Sequence, residues 1–238
     1  MAVGFLTVVP VGLRGEARPP GAAAGWFPVV GGVLGGVAGG VYYGLEPSVG
    51  RTVAAILGVG VLVAVTGGLH QDGLADWCDG LGGRGDRDRR LAIMRDSAIG
   101  TFGAVGLIVW LMLFVSGLAG LDRADGLRAV VVACAAGRWA ALVHAETAGP
   151  ARTDGLGAGF VVERGAFVVA SGLAGVICVV GGGVVGGLVG LGVAGAVGLV
   201  ISAWSRRGLG GRTGDTLGAC VAIGEVAVVV CMLGVGVG

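Results

Sequence analysis

Three aspartates carry the first chemical signal in this chain. Asp72, Asp76 and Asp79 stand in the run Gly67-Gly-Leu-His-Gln-Asp-Gly-Leu-Ala-Asp-Trp-Cys-Asp-Gly80, directly after an apolar stretch long enough to cross a bilayer. At 100° per residue the three carboxylates fall within about 60° of one helix face. Like charges at that spacing repel by about 0.2–0.5 kcal/mol per pair on an exposed helix. Near a bilayer an uncompensated Asp costs roughly 2.5–3.5 kcal/mol. A cation is therefore expected against them. Mg²⁺ suits this pattern, because it takes carboxylate oxygens and keeps water and substrate phosphate in its shell. The expected metal ligands are Asp72, Asp76 and Asp79, joined by Asp96 and Asp215.

Other polar groups cluster in three places. Arg95-Asp96-Ser97 precedes Gly100-Thr-Phe-Gly103 at the start of an apolar run. Arg95 is expected to bind phosphate or to anchor the interface through an ion pair of its own. Asp86 and Asp88, among alternating arginines, read as solvated charges, either of which can cap the short helix through Leu91, Ile93 and Met94. Leu209-Gly-Gly-Arg-Thr-Gly-Asp-Thr-Leu-Gly218 is a Gly-rich turn running into a helix. Backbone N–H groups at Gly211 and Gly214, with Arg212 and Thr213, form a candidate phosphate seat; the alternative is a plain interhelical turn. It lacks G-K-[ST] and is no Walker loop. Asp215 caps the last apolar run or joins the metal. Glu225, two to three turns further in, is a functional candidate by its intramembrane position. His70 is read as a donor to phosphate, an acid, or a satisfied interfacial histidine. Arg138 pairs with an acid such as Glu146 or contacts substrate, and His144 is read as structural.

The elements that hold these groups are membrane helices. Of 238 residues, 55% are hydrophobic and only 13% charged, with a mean hydropathy of +0.92. Soluble domains carry roughly 25% charged residues. An all-α, polytopic transmembrane bundle of about seven spans (six to eight) is expected, as one domain over 1–238. A span needs about 20 apolar residues. The candidates are 27–45, 52–69, 100–121, 127–147, 166–181, 186–204 and 216–236, with 166–204 split at Gly181-Gly-Gly183 and Gly186-Gly187. The split is supported by charge. With seven spans, twelve arginines (among them Arg14, Arg18, Arg84, Arg87, Arg152 and Arg206) fall on one side and only Arg51, Arg123 and Arg128 on the other. With six, the ratio drops to nine against six. The positive-inside rule then puts the aspartates and the 205–215 loop in the cytoplasm of a multi-pass inner-membrane protein. The 54 glycines include Gly32, Gly36 and Gly40, and Gly182, Gly186 and Gly190, at spacings suited to close helix contact or to a homo-oligomer. The five cysteines show no C-x-x-C and read as small apolar residues. The apolar N-terminus has no basic leader and is expected not to be a secretory signal. A net charge of +1 leaves no nucleic-acid footprint.

The motifs together resemble the cobalamin synthase (adenosylcobinamide-GDP ribazoletransferase) family. Gly67–Gly80 resembles its G-G-x-H-x-D-G-L-A-D-x-x-D-G. Ile93-Met-Arg-Asp-Ser-Ala-Ile-Gly-Thr-Phe-Gly103 resembles its I-M-[RK]-D-S-x-x-G-[TS]-x-G. Leu209–Ala219 with Glu225 resembles its G-G-x-T-G-D-x-x-G-A…E, and Phe5-Leu-Thr7 and Trp26–Gly31 also fit. Val8 stands where many members have Arg, and Gln71, Trp77 and Ala98 also depart, while every motif acid remains. The resemblance implies a Mg²⁺-dependent membrane enzyme. Such an enzyme joins adenosylcobinamide-GDP to α-ribazole, or its 5′-phosphate, and releases GMP. In the implied mechanism the α-ribazole 5′-oxygen attacks the phosphorus attached to cobinamide, and Asp79 or Asp96 accepts its proton. Arg95 and Arg212 neutralise phosphate charge. The CDP-alcohol phosphotransferases are a competing class, but their D-x-x-D-G-x-x-A-R differs from D-G-x-x-D-x-x-D-G here. A divalent cation transporter would place its acids at midplane on broken helices, not at a span end.

Overall fold

The computed structural model describes residues 1–10 and 20–235; Arg14, Arg18 and the last residue of the expected span 216–236 lie outside them. Within these residues the chain is helical. It runs through α1 (Ala2–Leu6), a 3₁₀ turn (Pro20–Trp26), α2 (Phe27–Thr66), α3 (Leu69–Gly82), α4 (Arg87–Ile93), α5 (Thr101–Ala119), α6 (Arg123–Thr147), α7 (Leu156–Gly159), α8 (Arg164–Gly208) and α9 (Gly214–Val235). Five of these helices are long and apolar enough to cross a membrane. Two of the five cannot be straight. A 45-residue helix would reach about 68 Å, twice a bilayer core. Each is broken by one glycine outside helical geometry, Gly50 (φ 79°) in α2 and Gly183 (φ 69°) in α8. The chain doubles back at both. A Cβ placed on Gly187 would lie 2.7 Å from Val179 Cα, and one on Gly58 would lie 2.8 Å from the Ala38 carbonyl. The five helices thus make seven crossings, and the division of 166–204 falls at Gly183.

Helix α6 is the central post. Its buried face is built of Ala129, Ala133, Ala136 and Ala140, so neighbouring backbones come close. The expected glycine stripe on α2 is displaced by one residue. Gly35 and Gly39 meet α6 at Val130 and Leu127, whereas Gly36 and Gly40 face open space. Gly182 and Gly190 do pack, against Val132. The outer faces of α5 and α8 expose Ile108, Met112, Val176, Val180 and Val184, an apolar surface suited to lipid.

The polar segments gather at one end. The second half of α2 stops at Gly67 and Gly68, both left-handed (φ 63° and 71°), a conformation glycine adopts at little cost. The chain there reverses into the short amphipathic α3. Arg212 N–H donates to the Gly149 carbonyl at 2.7 Å, joining the turn after α8 to the loop after α6. Arg87 Nε–H donates to the Leu209 carbonyl at 2.8 Å, and its Nη2 donates to the Ala151 carbonyl at 2.5 Å.

Candidate active site

Helix α3 lies across the start of α9 with no side chain between them. A Cβ at Gly73 would lie 2.8 Å from the Asp215 carbonyl, and one at Gly218 would lie 3.3 Å from Gly73 Cα. This contact brings Asp215 beside the α3 acids. Gly73→Val is therefore expected to cost about 1–3 kcal/mol. Gly36→Val, where no atom lies within 4 Å, should stay within about 0.5 kcal/mol. Thermal unfolding in detergent compares the two, and equal losses would refute the packing role.

Asp72 and Asp76 line one cavity with Gln71, Thr7, Thr66 and Ser97. Neither carboxylate receives a hydrogen bond from the described residues. Burial raises the Asp76 carboxyl from an ordinary 3.8 to about 7, reinforced by the charges of Asp215, Asp72 and Asp79. This is uncompensated negative charge of the kind a divalent cation relieves. No three His, Cys, Asp or Glu side chains among the described residues converge closely enough to enclose an ion. Two open carboxylates nevertheless fit Mg²⁺, which is held by one or two carboxylates plus substrate phosphates rather than by a protein cage.

Several expected ligands have other partners. Asp79 accepts the N–H groups of Gly100 (2.7 Å) and Gly103 (2.8 Å), tying α3 to the first turn of α5. Gly100 and Gly103 are needed there, because a Cβ on either would overlap the carboxylate. Asp79 is thus an anchor between α3 and α5, each of its oxygens already accepting one amide. Asp96 is exposed and accepts Ala98 N–H at 3.0 Å. It stands outside the acid cluster, and its neighbour Ser97 faces the cavity instead.

The cations also differ from expectation. Arg95 forms a forked pair with Asp154, at 2.8 Å to each oxygen, rather than standing free for phosphate. The guanidinium of Arg212 is buried and donates to the carbonyls of Ala145 (3.0 Å), Ala148 and Phe160 (2.7 Å). Arg212 therefore ties the end of α6 to the 160 loop, and lines the cavity that also holds Asp154 and Asp215. The amides of the turn are taken as well. Leu209 and Gly211 donate to Ser205, Arg212 to Gly149, and Thr213 to the Thr216 hydroxyl. The expected phosphate cradle at Gly211 is closed, whereas Arg212, Thr213 and Gly214 line a cavity with Arg95, Arg152, Asp154 and Asp215. In that cavity Asp215 receives Arg152 (3.3 Å) and the Thr213 hydroxyl (3.1 Å).

Arg138 pairs across the bundle with Glu225 at 2.6 Å, both essentially unexposed, and not with the exposed Glu146 of its own helix. His70 is buried, and burial with nearby Arg138 holds its pKa well below the usual imidazole range. It is neutral, with no imidazolium proton to give as an acid. His144 joins α6, α8 and α9 through Ser202 (2.7 Å) and Thr216 (2.8 Å), a structural role as expected. Asp86 caps α4 by accepting Arg89 N–H. Arg152 and Asp154 were not singled out by the motifs. Their signal was the polar loop Pro150-Ala-Arg-Thr-Asp-Gly155, on the same side of the expected topology as the aspartates.

The molecule is thus a polytopic membrane helical bundle with an acidic, arginine-flanked cleft at one end, the arrangement of a membrane enzyme acting on phosphates. The cobalamin-5-phosphate synthase family profile matches residues 1–233. Curated relatives named adenosylcobinamide-GDP ribazoletransferase come from Geotalea daltonii (36% identical, covering 99% of this chain and 96% of the relative) and Roseiflexus sp. (38%, covering 94% and 85%). Another, from Bradyrhizobium diazoefficiens, is 36% identical over 96% of this chain and 90% of its own length. No solved structure matches the chain. The chain belongs to the cobalamin-5-phosphate synthase family.

Proposed function

We propose that the chain is an adenosylcobinamide-GDP ribazoletransferase, joining adenosylcobinamide-GDP to α-ribazole or its 5′-phosphate with release of GMP. The observation that carries this reading is near-complete coverage by relatives of that name, with Asp72 and Asp76 of the motif lining one cleft. The family description names a cobalamin 5-phosphate as product. The acceptor's 5′-position stays occupied in that product, so a ring hydroxyl of the ribose, not the 5′-oxygen, attacks the phosphorus attached to cobinamide.

Asp72 and Asp76 would hold Mg²⁺, which when bound supplies charge neutralisation for the diphosphate and the departing GMP. Asp215 adds negative potential from α9, and Arg152 holds its carboxylate in place. Arg95 and Arg152 line the adjoining cavity paired with Asp154 and Asp215, and on exchanging those carboxylates for phosphate would balance charge that the acids alone would repel. The excess of arginines at this end supports a cytoplasmic orientation of the cleft in the cell membrane. The test is incubation of vesicle-reconstituted protein with both substrates, with and without Mg²⁺. GMP release that needs α-ribazole supports the reading. Ion flux without GMP release would favour a transporter.

The pH dependence follows from Asp76. Its raised carboxyl is protonated and a weak ligand below about 7, and anionic above it. At limiting Mg²⁺, kcat/KM should therefore rise with pH through about 7. Added Mg²⁺ competes with the proton and should move the rise to lower pH. An inflection that stays fixed as Mg²⁺ is varied would remove Asp76 from the metal shell.

A further inference from the structure

The acidic cleft holds one polar side chain that the metal assignment does not use. Gln71 stands on α3 next to Asp72, is 8% exposed, and lines the cleft. Its amide makes no hydrogen bond to the described residues. The amide oxygen is enclosed without a partner, so the nitrogen is the end that the side chain presents to the cleft. Leaving a buried amide unpaired is costly, and an apolar side chain of the same shape carries no such cost. An unpaired polar group at the wall of a cavity therefore indicates a ligand that pairs with it. The space is large enough for one. It measures about 600 Å³, within the roughly 300–1,000 Å³ of small-molecule sites, and lies open between the N-terminal segment, α3 and the start of α5.

We propose that this cleft receives the acceptor nucleoside, with the Gln71 amide N–H donating to a hydroxyl of its ribose. The proposal rests on the functional reading above and assigns the acceptor its place within it. Two cavities flank the acids, and their linings divide the substrates. Arg95, Arg152 and Arg212 line the one that holds Asp215, where the diphosphate of the donor meets cations. No arginine among the described residues lines the cleft with Gln71. Its walls are apolar at Phe5, Leu69, Ile99 and Leu107, and neutral at Ser97. Such walls suit a nucleoside, whose flat base packs on apolar side chains and whose hydroxyls pair with amide and hydroxyl groups. Displacement at phosphorus is in line, so the attacking hydroxyl and the departing GMP lie on opposite sides of it. With GMP toward the arginines, the acceptor approaches from the Gln71 side, next to Asp72 and Asp76. A lipid chain in the cleft would leave the amide unpaired.

The test uses the full chain in phosphatidylethanolamine–phosphatidylglycerol vesicles. Gln71→Leu removes the amide at nearly constant volume, and Leu107→Trp narrows the cleft from α5. Equilibrium binding of radiolabelled α-ribazole and initial rates against each substrate are measured. Both variants should raise Kd and KM for α-ribazole by roughly tenfold, with KM for adenosylcobinamide-GDP within about twofold of wild type. Without substrate, Gln71→Leu should unfold in detergent at or above the wild-type temperature, because it removes an unpaired buried amide. Lower stability in Gln71→Leu would assign the amide to packing and overturn its contact with substrate. Unchanged α-ribazole affinity in Gln71→Leu would overturn it too. A rise in KM confined to adenosylcobinamide-GDP would give the cleft to the donor and likewise overturn the proposal. Wild-type protein that binds α-ribazole but releases no GMP would sink the functional reading alone, and weaker binding in both variants would still support the cleft.

Discussion

Asp76→Asn is expected to lower the turnover of GMP release by about 10³-fold or more while the protein inserts and folds normally. The substitution keeps the shape of the side chain and removes the charge. A bound metal supplies several kcal/mol of transition-state charge stabilisation, and a carboxamide is a far poorer ligand for Mg²⁺. Stability should move the other way. The folded state raises the Asp76 carboxyl from 3.8 to about 7, so it disfavours the anion. In wild type, stability is lost as pH rises from about 4 to about 7, because the folded chain must release a proton it holds more tightly than the unfolded chain does. Asn carries no such penalty. At pH 8 the variant should unfold at or above the wild-type temperature. A dead enzyme that is at least as stable as wild type separates a functional carboxylate from a packing one. Turnover within tenfold of wild type would refute the metal assignment.

Arg138→Ala is expected to be the most damaging single change to the fold. Arg138 and Glu225 are 0% and 1% exposed and pair at 2.6 Å, joining α6 to α9 at the core of the bundle. Removing one partner leaves the other charge buried and uncompensated, a loss of roughly 3–5 kcal/mol. Replacing both with apolar residues of similar volume, as in Arg138→Met with Glu225→Leu, removes that penalty and should restore most of the stability. Urea or thermal unfolding in detergent measures the three proteins. A double variant no more stable than Arg138→Ala would show that the pair is not the source of the loss.

Much of the architecture was legible in the residues because it follows from local rules. Apolar runs of span length, ended by arginine-rich loops, define crossings whether or not their partners are known. The division of 166–204 rested on arginine asymmetry, and Gly183 is where the chain turns. Asp72, Asp76 and Asp215 were legible as candidates because acids at a bilayer surface need a reason to be there.

The individual assignments were less secure. Asp79 carries the same helical spacing as its neighbours, yet Gly100 and Gly103, more than twenty residues away, bring amides onto it. Arg212 sits in a motif that suggests anion binding, yet the end of α6 presents carbonyls to it. Arg138 has Glu146 two turns along its own helix, but Glu225 reaches it from α9. The glycine stripe on α2 was misplaced by one residue because spacing gives a period, and only the position of α6 gives a phase.

By itself the sequence determined a membrane bundle of seven crossings, the acidic segment at one end, and the family. Those properties depend on hydropathy, charge and motif order, which are sums over neighbouring residues. Only the tertiary structure decided which acids are open to a ligand and which already hold amides. It also decided that Arg138 of α6 pairs with Glu225 of α9 in the core. Burial and hydrogen-bond partners come from segments distant in the chain, and a side chain's chemistry is set by whatever those segments place against it.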